Sequence, residues 1–390
     1  MIKSSFSFWV EQWLFRHRAR FLVLFLILTA LFLGFATQTQ VDARFEKQLP
    51  LGHEYIQKFR EYESEFGGAN RVILAMIVEE GEIFNEDYFN RLDSLTKDVY
   101  AMSGVDQASV TSLFTPNVRS TEVVQDGFTG GNVVPADFAN TLQDLAKVKE
   151  NVLKSNYMGR LVTDSFNGAM VMANLLDIDP DTKKPLDTFA VARALESLRG
   201  KYESETIKVH VIGFAKVMGD VRDGALNVIF FFCVTIVVTA LLVWLYSQSF
   251  IFSVLPMGCS LAAVAWQLGI IHLMGFGIDP MSILVPFLVF AIGVSHGVQM
   301  VRVFRDQLFH GEEALIAARK AFSELLIPGG VALLTDTIGF ITILLIPVPT
   351  IRELAIAASV GVAAIIVTNL ILLPLLLSYQ KPSHTYRERV

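Results

Sequence analysis

Six long apolar stretches constrain this sequence more than any other feature. A helix needs about 20 predominantly apolar residues to cross the roughly 30 Å hydrocarbon core of a bilayer. Six stretches are close to that length, at residues 21–37, 225–246, 250–274, 281–301, 326–346 and 354–378. The sequence therefore predicts an all-α membrane bundle of six spans, with spans two to six inside residues 225–378.

Charged residues are concentrated between the first two spans. Residues 38–222 contain 20 Lys or Arg and 28 Asp or Glu, although the whole chain is only 18% charged and 53% hydrophobic. This segment is therefore predicted to be a separate, water-facing domain. The net charge of −6 argues against binding to nucleic acid, and two cysteines are too few for a disulfide scaffold.

Basic residues in the short connections indicate the orientation. Outside residues 38–222 there are 12 Lys or Arg, and 11 of them lie before span one, between spans four and five, or in the tail at residues 379–390. Short basic segments stay on the cytoplasmic side of a membrane. We therefore expect a multi-pass membrane protein, with a cytoplasmic tail and the large domain outside the cytoplasm.

The leader, residues 1–20, is predicted to form a helix lying in the cytoplasmic interface. Its aromatic and aliphatic residues recur at spacings of three and four, at Phe6, Trp9, Val10, Trp13 and Leu14. A plain aromatic belt accounts for the same residues equally well. We expect residues 21–37 to be an uncleaved anchor, since no small-x-small cleavage site follows them.

The large domain alternates between strand and helix patterns. Strands are predicted at residues 71–79, 105–113, 169–175 and 207–212, and helices at 85–102, 137–154 and 187–202. Apart from a glycine-rich insert, the order is β-α-β twice, which predicts a ferredoxin-like α+β domain inserted between spans one and two. Its residues include no catalytic set, metal cluster or nucleotide-binding loop, so we expect neither enzyme activity nor a cofactor.

Polar residues within spans four and five are the candidate functional residues. Span four contains Ser295, His296 and Gln299, and span five contains Thr335 and Asp336. Ionisable groups in hydrocarbon are costly and usually functional. We predict a proton relay, because a buried carboxylate and a histidine can both titrate near neutral pH. A static hydrogen-bonded pair that fixes helix packing is the alternative.

Other residues of these spans have simpler interpretations. Gly293, Gly297 and Gly339 are predicted to allow close helix packing, and Asp279 to cap a helix. Ser295 beside His296 is the one candidate for a nucleophile and its base. Adjacent residues of a helix point about 100° apart and cannot readily pair, so we do not expect an intramembrane hydrolase.

The arrangement of one span, a large external domain and five more spans resembles one half of a transporter of the resistance-nodulation-cell division (RND) superfamily, in its MMPL-like branch related to sterol-sensing domains. Two stretches support the resemblance, AIGVSHGVQM at residues 291–300 and the segment at 317–349 with Thr335, Gly339 and Phe340 at its core. The resemblance implies an amino-terminal half in a bacterial inner membrane, with the large domain in the periplasm. It also implies export of a hydrophobic or amphiphilic substrate, such as a lipid, by proton antiport.

The sequence departs from the family pattern in two ways. Ser295 and His296 stand where the family has its relay aspartate and the following tyrosine, so the usual carboxylate is absent. Only one six-span unit is present, so the resemblance implies a second half, either another copy, a separate chain or a continuation of this one. A periplasmic carrier is a further implied partner. The alternative function is a non-transporting sterol-sensing-like receptor or an accessory module for export assembly.

Overall fold

The computed structural model describes residues 5–39, 47, 49–66, 70–125, 127–176, 178–180, 182–184, 186–279 and 281–381. The chain divides into two compact units. We call Met1–Gln57 with Gly224–Val390 the membrane unit and Lys58–Asp223 the sheet unit.

The membrane unit is helical. Numbered along the whole chain, its helices are α1 (Ser5–Arg16), α2 (Arg18–Ala36), α7 (Phe214–Ser247, which begins in the sheet unit), α8 (Phe250–Leu273), α9 (Val285–Phe309), α10 (Ala314–Thr342), α11 (Pro349–Val367) and α12 (Leu373–Leu377). A π-helical turn, Thr368–Leu372, joins α11 to α12. Six helical segments in the described part of the chain are long and apolar enough to cross a membrane, which confirms the predicted number of spans.

The stretch between predicted spans four and five, residues 302–325, is mostly helical. Helix α9 continues to Phe309 and α10 already begins at Ala314, so only residues 310–313 of that stretch are non-helical. The first turns of α10 are amphipathic, with one face buried in the bundle at Ala317, Ala318, Ala321 and Phe322. Packing of that face against the bundle explains why α10 begins well before the apolar stretch at residues 326–346.

The boundary of the large domain also differs from the prediction. The sheet unit begins at Lys58 rather than at residue 38. Lys47 belongs to the membrane unit because its ammonium forms an ion pair with Glu353 on α11, and its carbonyl oxygen accepts a hydrogen bond from the hydroxyl of Thr350 at 2.6 Å. Helix α3, Glu54–Phe66, was not predicted.

The sheet unit is built around four antiparallel strands. They are β1 (Arg71–Val78), β2 (Val105–Thr111), β5 (Gly168–Leu175) and β6 (Ile207–Gly213), and they lie in the order β2-β5-β1-β6. Helices α4 (Glu86–Ala101), α5 (Leu142–Leu153) and α6 (Thr188–Tyr202) complete the core. The predicted strands and helices are therefore confirmed, with shifted ends.

Helix caps explain where the helices of the sheet unit begin. Asn85 accepts a hydrogen bond from the amide of Tyr88 at the start of α4, and Asp187 caps α6 in the same way. Helix α5 begins at Leu142 rather than at residue 137, because Thr141 and Asp144 form a capping box there.

The glycine-rich insert contains a hairpin that was not predicted. Strands β3 (Arg119–Val124) and β4 (Gly127–Asn132) pair as a separate two-stranded sheet. A Cβ atom at Gly130 would lie 2.6 Å from the carbonyl oxygen of Ser120, so this close approach requires glycine.

Candidate functional site in the membrane unit

The five predicted relay residues lie on or near the outer surface of the membrane unit. Ser295, Gln299, Thr335 and Asp336 are exposed, and His296 is half-buried. Ser295 and Gln299 lie one turn apart on α9, and the carboxylate of Asp336 on α10 is within electrostatic range of the His296 imidazole. We call these five residues the polar patch.

Hydrogen bonds do not join the two ionisable residues of the patch. Among the described residues, none is formed between His296 and Asp336. The hydroxyl of Thr335 donates to the carbonyl oxygen of Val331 at 2.9 Å, which satisfies that side chain within its own helix. The imidazole and the carboxylate are therefore brought near each other without being locked as a static pair.

The expectation that Asp336 is buried inside the bundle is wrong for this chain alone. Helix α10 turns Gly329 and Leu333 inward, whereas the side chain of Asp336 is exposed on the outer face. An exposed carboxylate near the middle of a span would meet lipid, at a cost of about 3 kcal/mol or more. The outer face of α10 therefore carries a group that is unsuited to contact with hydrocarbon.

The opposite face of α9 contains the predicted packing glycines. A Cβ atom at Gly297 would lie 2.6 Å from the Cβ of Pro256 and 2.9 Å from Oδ1 of Asn369. At Gly293, it would lie 2.7 Å from the hydroxyl oxygen of Ser260. Both positions therefore bring α9 close to α8 and to the π-helical turn.

Gly339 differs from the other two glycines. Among the described residues, no atom beyond its chain neighbours and the backbone of its own helix lies within 4 Å of the position that its Cβ would take. Its side of α10 is exposed, so no close approach within the described part of this chain requires glycine at that position.

A buried polar cluster lies on the inner side of α9, opposite the polar patch, and was not predicted from the sequence. Thr368 and Asn369, in the π-helical turn, are fully buried, and so is Ser260 on α8. The amide of Asn369 donates to the hydroxyl of Thr368 at 3.3 Å, whereas Oδ1 of Asn369 has no partner in the described structure. The Thr-Asn pair within an otherwise apolar span was the available signal, and π-helical turns often occur at functional sites.

Asp279 has the predicted capping role. Its Oδ1 accepts hydrogen bonds from the backbone amides of Met281 and Ser282 at 2.7 and 3.0 Å. These bonds satisfy amides at the start of the helical turn Ser282–Leu284, which precedes α9.

Comparison with known proteins identifies the family. The profile of the MMPL family matches residues 59–387. A membrane protein of Methanocaldococcus jannaschii is 22% identical to this chain over 380 residues, which cover 93% of this chain and 91% of the relative. Since the family match extends over most of the sequence and includes five of the six candidate spans, this chain belongs to the MMPL family of membrane proteins.

Proposed function

We propose that the chain is one six-span half of an RND-type transporter in a bacterial inner membrane. It moves a hydrophobic or amphiphilic substrate, such as a lipid, and uses the proton gradient. We assign the sheet unit as a ferredoxin-like periplasmic domain that receives the substrate. The β-α-β repeat and the strand order β2-β5-β1-β6 support that assignment.

The outward position of Asp336 is the observation that carries the proposal. A second six-span half packed against α9 and α10 would cover the polar patch and remove the carboxylate from lipid. His296 and Asp336 would then lie at the contact between two halves, where water can reach them. The absence of a hydrogen bond between them, within the described residues, suits groups that gain and lose protons.

A second copy of this chain is the partner we favour. The relative from Methanocaldococcus jannaschii is matched over 91% of its own length, so it is also about one six-span unit long. A pair of identical chains would bring two polar patches together around a two-fold axis.

The runner-up is a non-transporting receptor or an accessory module for export assembly. Such a module needs no protonatable pair, so replacing Asp336 by an uncharged residue of the same shape would leave its activity unchanged. A transporter driven by protons would lose its coupling. The activity of D336N therefore distinguishes a proton-driven transporter from a non-transporting module.

Reconstituted vesicles provide the test of proton coupling. The purified chain is placed in liposomes with an internal pH dye, and a fluorescent phosphatidylethanolamine serves as the probe amphiphile. We expect a pH gradient to drive movement of the probe, and D336N to slow that movement at least about tenfold. The matched control is D306N, at an exposed carboxylate near the end of α9. Equal rates for D336N and the wild type would remove Asp336 from the mechanism.

Cysteine crosslinking tests the pairing of halves separately. In a C233S background, a cysteine placed by S295C on the polar patch is expected to crosslink between two copies in the membrane. L24C, on the exposed face of α2, is the control and should stay monomeric. Crosslinking at Leu24 without crosslinking at Ser295 would contradict a contact made through the patch.

A further inference from the structure

Helix α1 is held against the membrane unit by one of its faces. Glu11 and Phe15 on this face are only 5% and 6% exposed. The Phe15 ring packs edge-on against Phe322 of α10 at 5.9 Å, and Nε of Arg319 donates to Glu11 at 2.8 Å. The carboxylate of Glu11 is thus paired with a cation of α10.

Another face of α1 carries exposed aromatic rings. Trp9 and Trp13 stack with their planes 8° apart and their centroids 6.4 Å apart, yet they are 64% and 47% exposed. The His17 ring follows 5.9 Å from Trp13, so the rings recur every four residues along one line. Tryptophan rings in such positions are typical of the headgroup level of a bilayer.

A cavity of about 450 Å³ opens between this aromatic line and the start of α10. Its lining includes Trp9, Trp13, Arg16, His17, Leu315 and Arg319. The lining combines aromatic surface with two guanidinium groups and an imidazole. Glu11 neutralises the charge of Arg319 through their ion pair, so Arg16 supplies the excess positive charge of the cavity.

We propose that this cavity binds the headgroup of an anionic phospholipid. Arg16 and Arg319 hold the phosphate, since a guanidinium group presents donors that match phosphate oxygens. The exposed indole rings lie beside the glycerol and the first methylene groups. Such a lipid bridges α1 and α10 and keeps α1 docked on the bundle, so it is a structural ligand distinct from the transported substrate.

A lipid fits the site better than a soluble phosphate compound does. The exposed apolar surface of Trp9 and Trp13 favours a ligand with hydrocarbon next to its charge. Basic residues near a membrane surface attract anionic lipid. Two arginines beside two tryptophans therefore favour an anionic amphiphile.

Quenching of tryptophan fluorescence tests the proposal on the full chain in a neutral detergent. The probes are dibrominated phosphatidylglycerol and dibrominated phosphatidylcholine. A W244F background removes the exposed tryptophan of α7, which lies outside the cavity. We expect phosphatidylglycerol to quench at lower concentration than phosphatidylcholine, and R16Q to weaken its binding about fivefold.

The matched control is R20Q, which removes an exposed arginine near the start of α2 that does not line the cavity. It should bind phosphatidylglycerol within about twofold of the wild type. Equal quenching by the two lipids would contradict a site for anionic lipid. Equal losses of phosphatidylglycerol binding in R16Q and R20Q would contradict binding in this cavity. Complete displacement of the lipid by an equal concentration of inorganic phosphate would overturn the choice of a lipid and assign the site to free phosphate.

Discussion

Lys47 and Glu353 lie 306 residues apart in the sequence and form an ion pair in the membrane unit, with Nζ at 2.6 and 2.9 Å from the two carboxylate oxygens. Their side chains are only 15% and 11% exposed. The pair ties the segment after the first span to the start of α11. Since both groups are largely removed from water, each depends on the other to compensate for lost hydration.

The first prediction concerns this ion pair. E353Q should lower the stability of the chain by about 2 kcal/mol, because it removes the carboxylate that pairs with the largely buried Lys47 ammonium. Thermal unfolding in detergent measures the loss. E61Q breaks the exposed pair between Lys58 and Glu61, whose side chains are 62% and 53% exposed, and should cost less than about 1 kcal/mol. Equal shifts for the two variants would show that the pair of Lys47 and Glu353 adds no more stability than an exposed ion pair.

Glycines on α9 and α10 should respond differently to one added methyl group. G297A places a Cβ atom 2.6 Å from Pro256, so we expect a loss of about 1–3 kcal/mol through overpacking. G339A meets no other helix or loop of the described structure within 4 Å and should be neutral or slightly stabilising in a helix. Melting temperatures in detergent compare the two. A larger loss for G339A would mean that the open face of α10 is tightly packed in the assembled protein.

Tyr88 should contribute to the sheet unit through its hydroxyl. The hydroxyl donates to the carbonyl oxygen of Met76 at 2.7 Å and accepts from the amide of Ala169 at 2.8 Å, so it joins β1 to β5. Burial raises the pKa of Tyr88 well above its ordinary value, which keeps the hydroxyl protonated. Y88F should cost about 1–3 kcal/mol, because it removes a partner from buried groups.

Urea unfolding followed by circular dichroism measures the effect of Y88F. The control is Y100F, at a tyrosine that is about half exposed on the same helix, and it should change stability by less than about 0.5 kcal/mol. If Y88F proved as stable as Y100F, the hydroxyl bridge would contribute nothing.

The capping box of α5 predicts a pH dependence. Hydrogen bonds from the hydroxyl and backbone amide of Thr141 lower the pKa of Asp144 below its ordinary value of 3.8. A carboxyl group with a lowered folded-state pKa contributes stability above the unfolded pKa and loses it as the pH falls through the folded pKa. The stability difference between wild type and D144N should therefore be present at pH 6 and shrink below pH 3.8. Urea unfolding of both proteins between pH 6 and pH 3 measures this difference. A difference in stability that stayed constant with pH would contradict the prediction.

Local sequence patterns were sufficient for most of the architecture. A span is recognised from its own length and apolar composition, and the strands of the sheet unit from their own periodicity. Asn85 and Asp187 mark helix starts because a cap acts on amides two or three residues away. The hairpin at β3 and β4 was missed because β4 is glycine-rich and neither strand has apolar alternation.

Among the candidate functional residues, the sequence alone determined which polar groups lie within the spans, since that follows from their position in an apolar stretch. Tertiary structure decided which way they point. Asp336 faces outward because α10 packs through Gly329 against Leu370, a neighbour distant in sequence. Likewise, Gly297 meets Asn369 only because the π-helical turn packs against α9. Helix periodicity defines the faces of a span, and contacts between distant segments select the one that is buried.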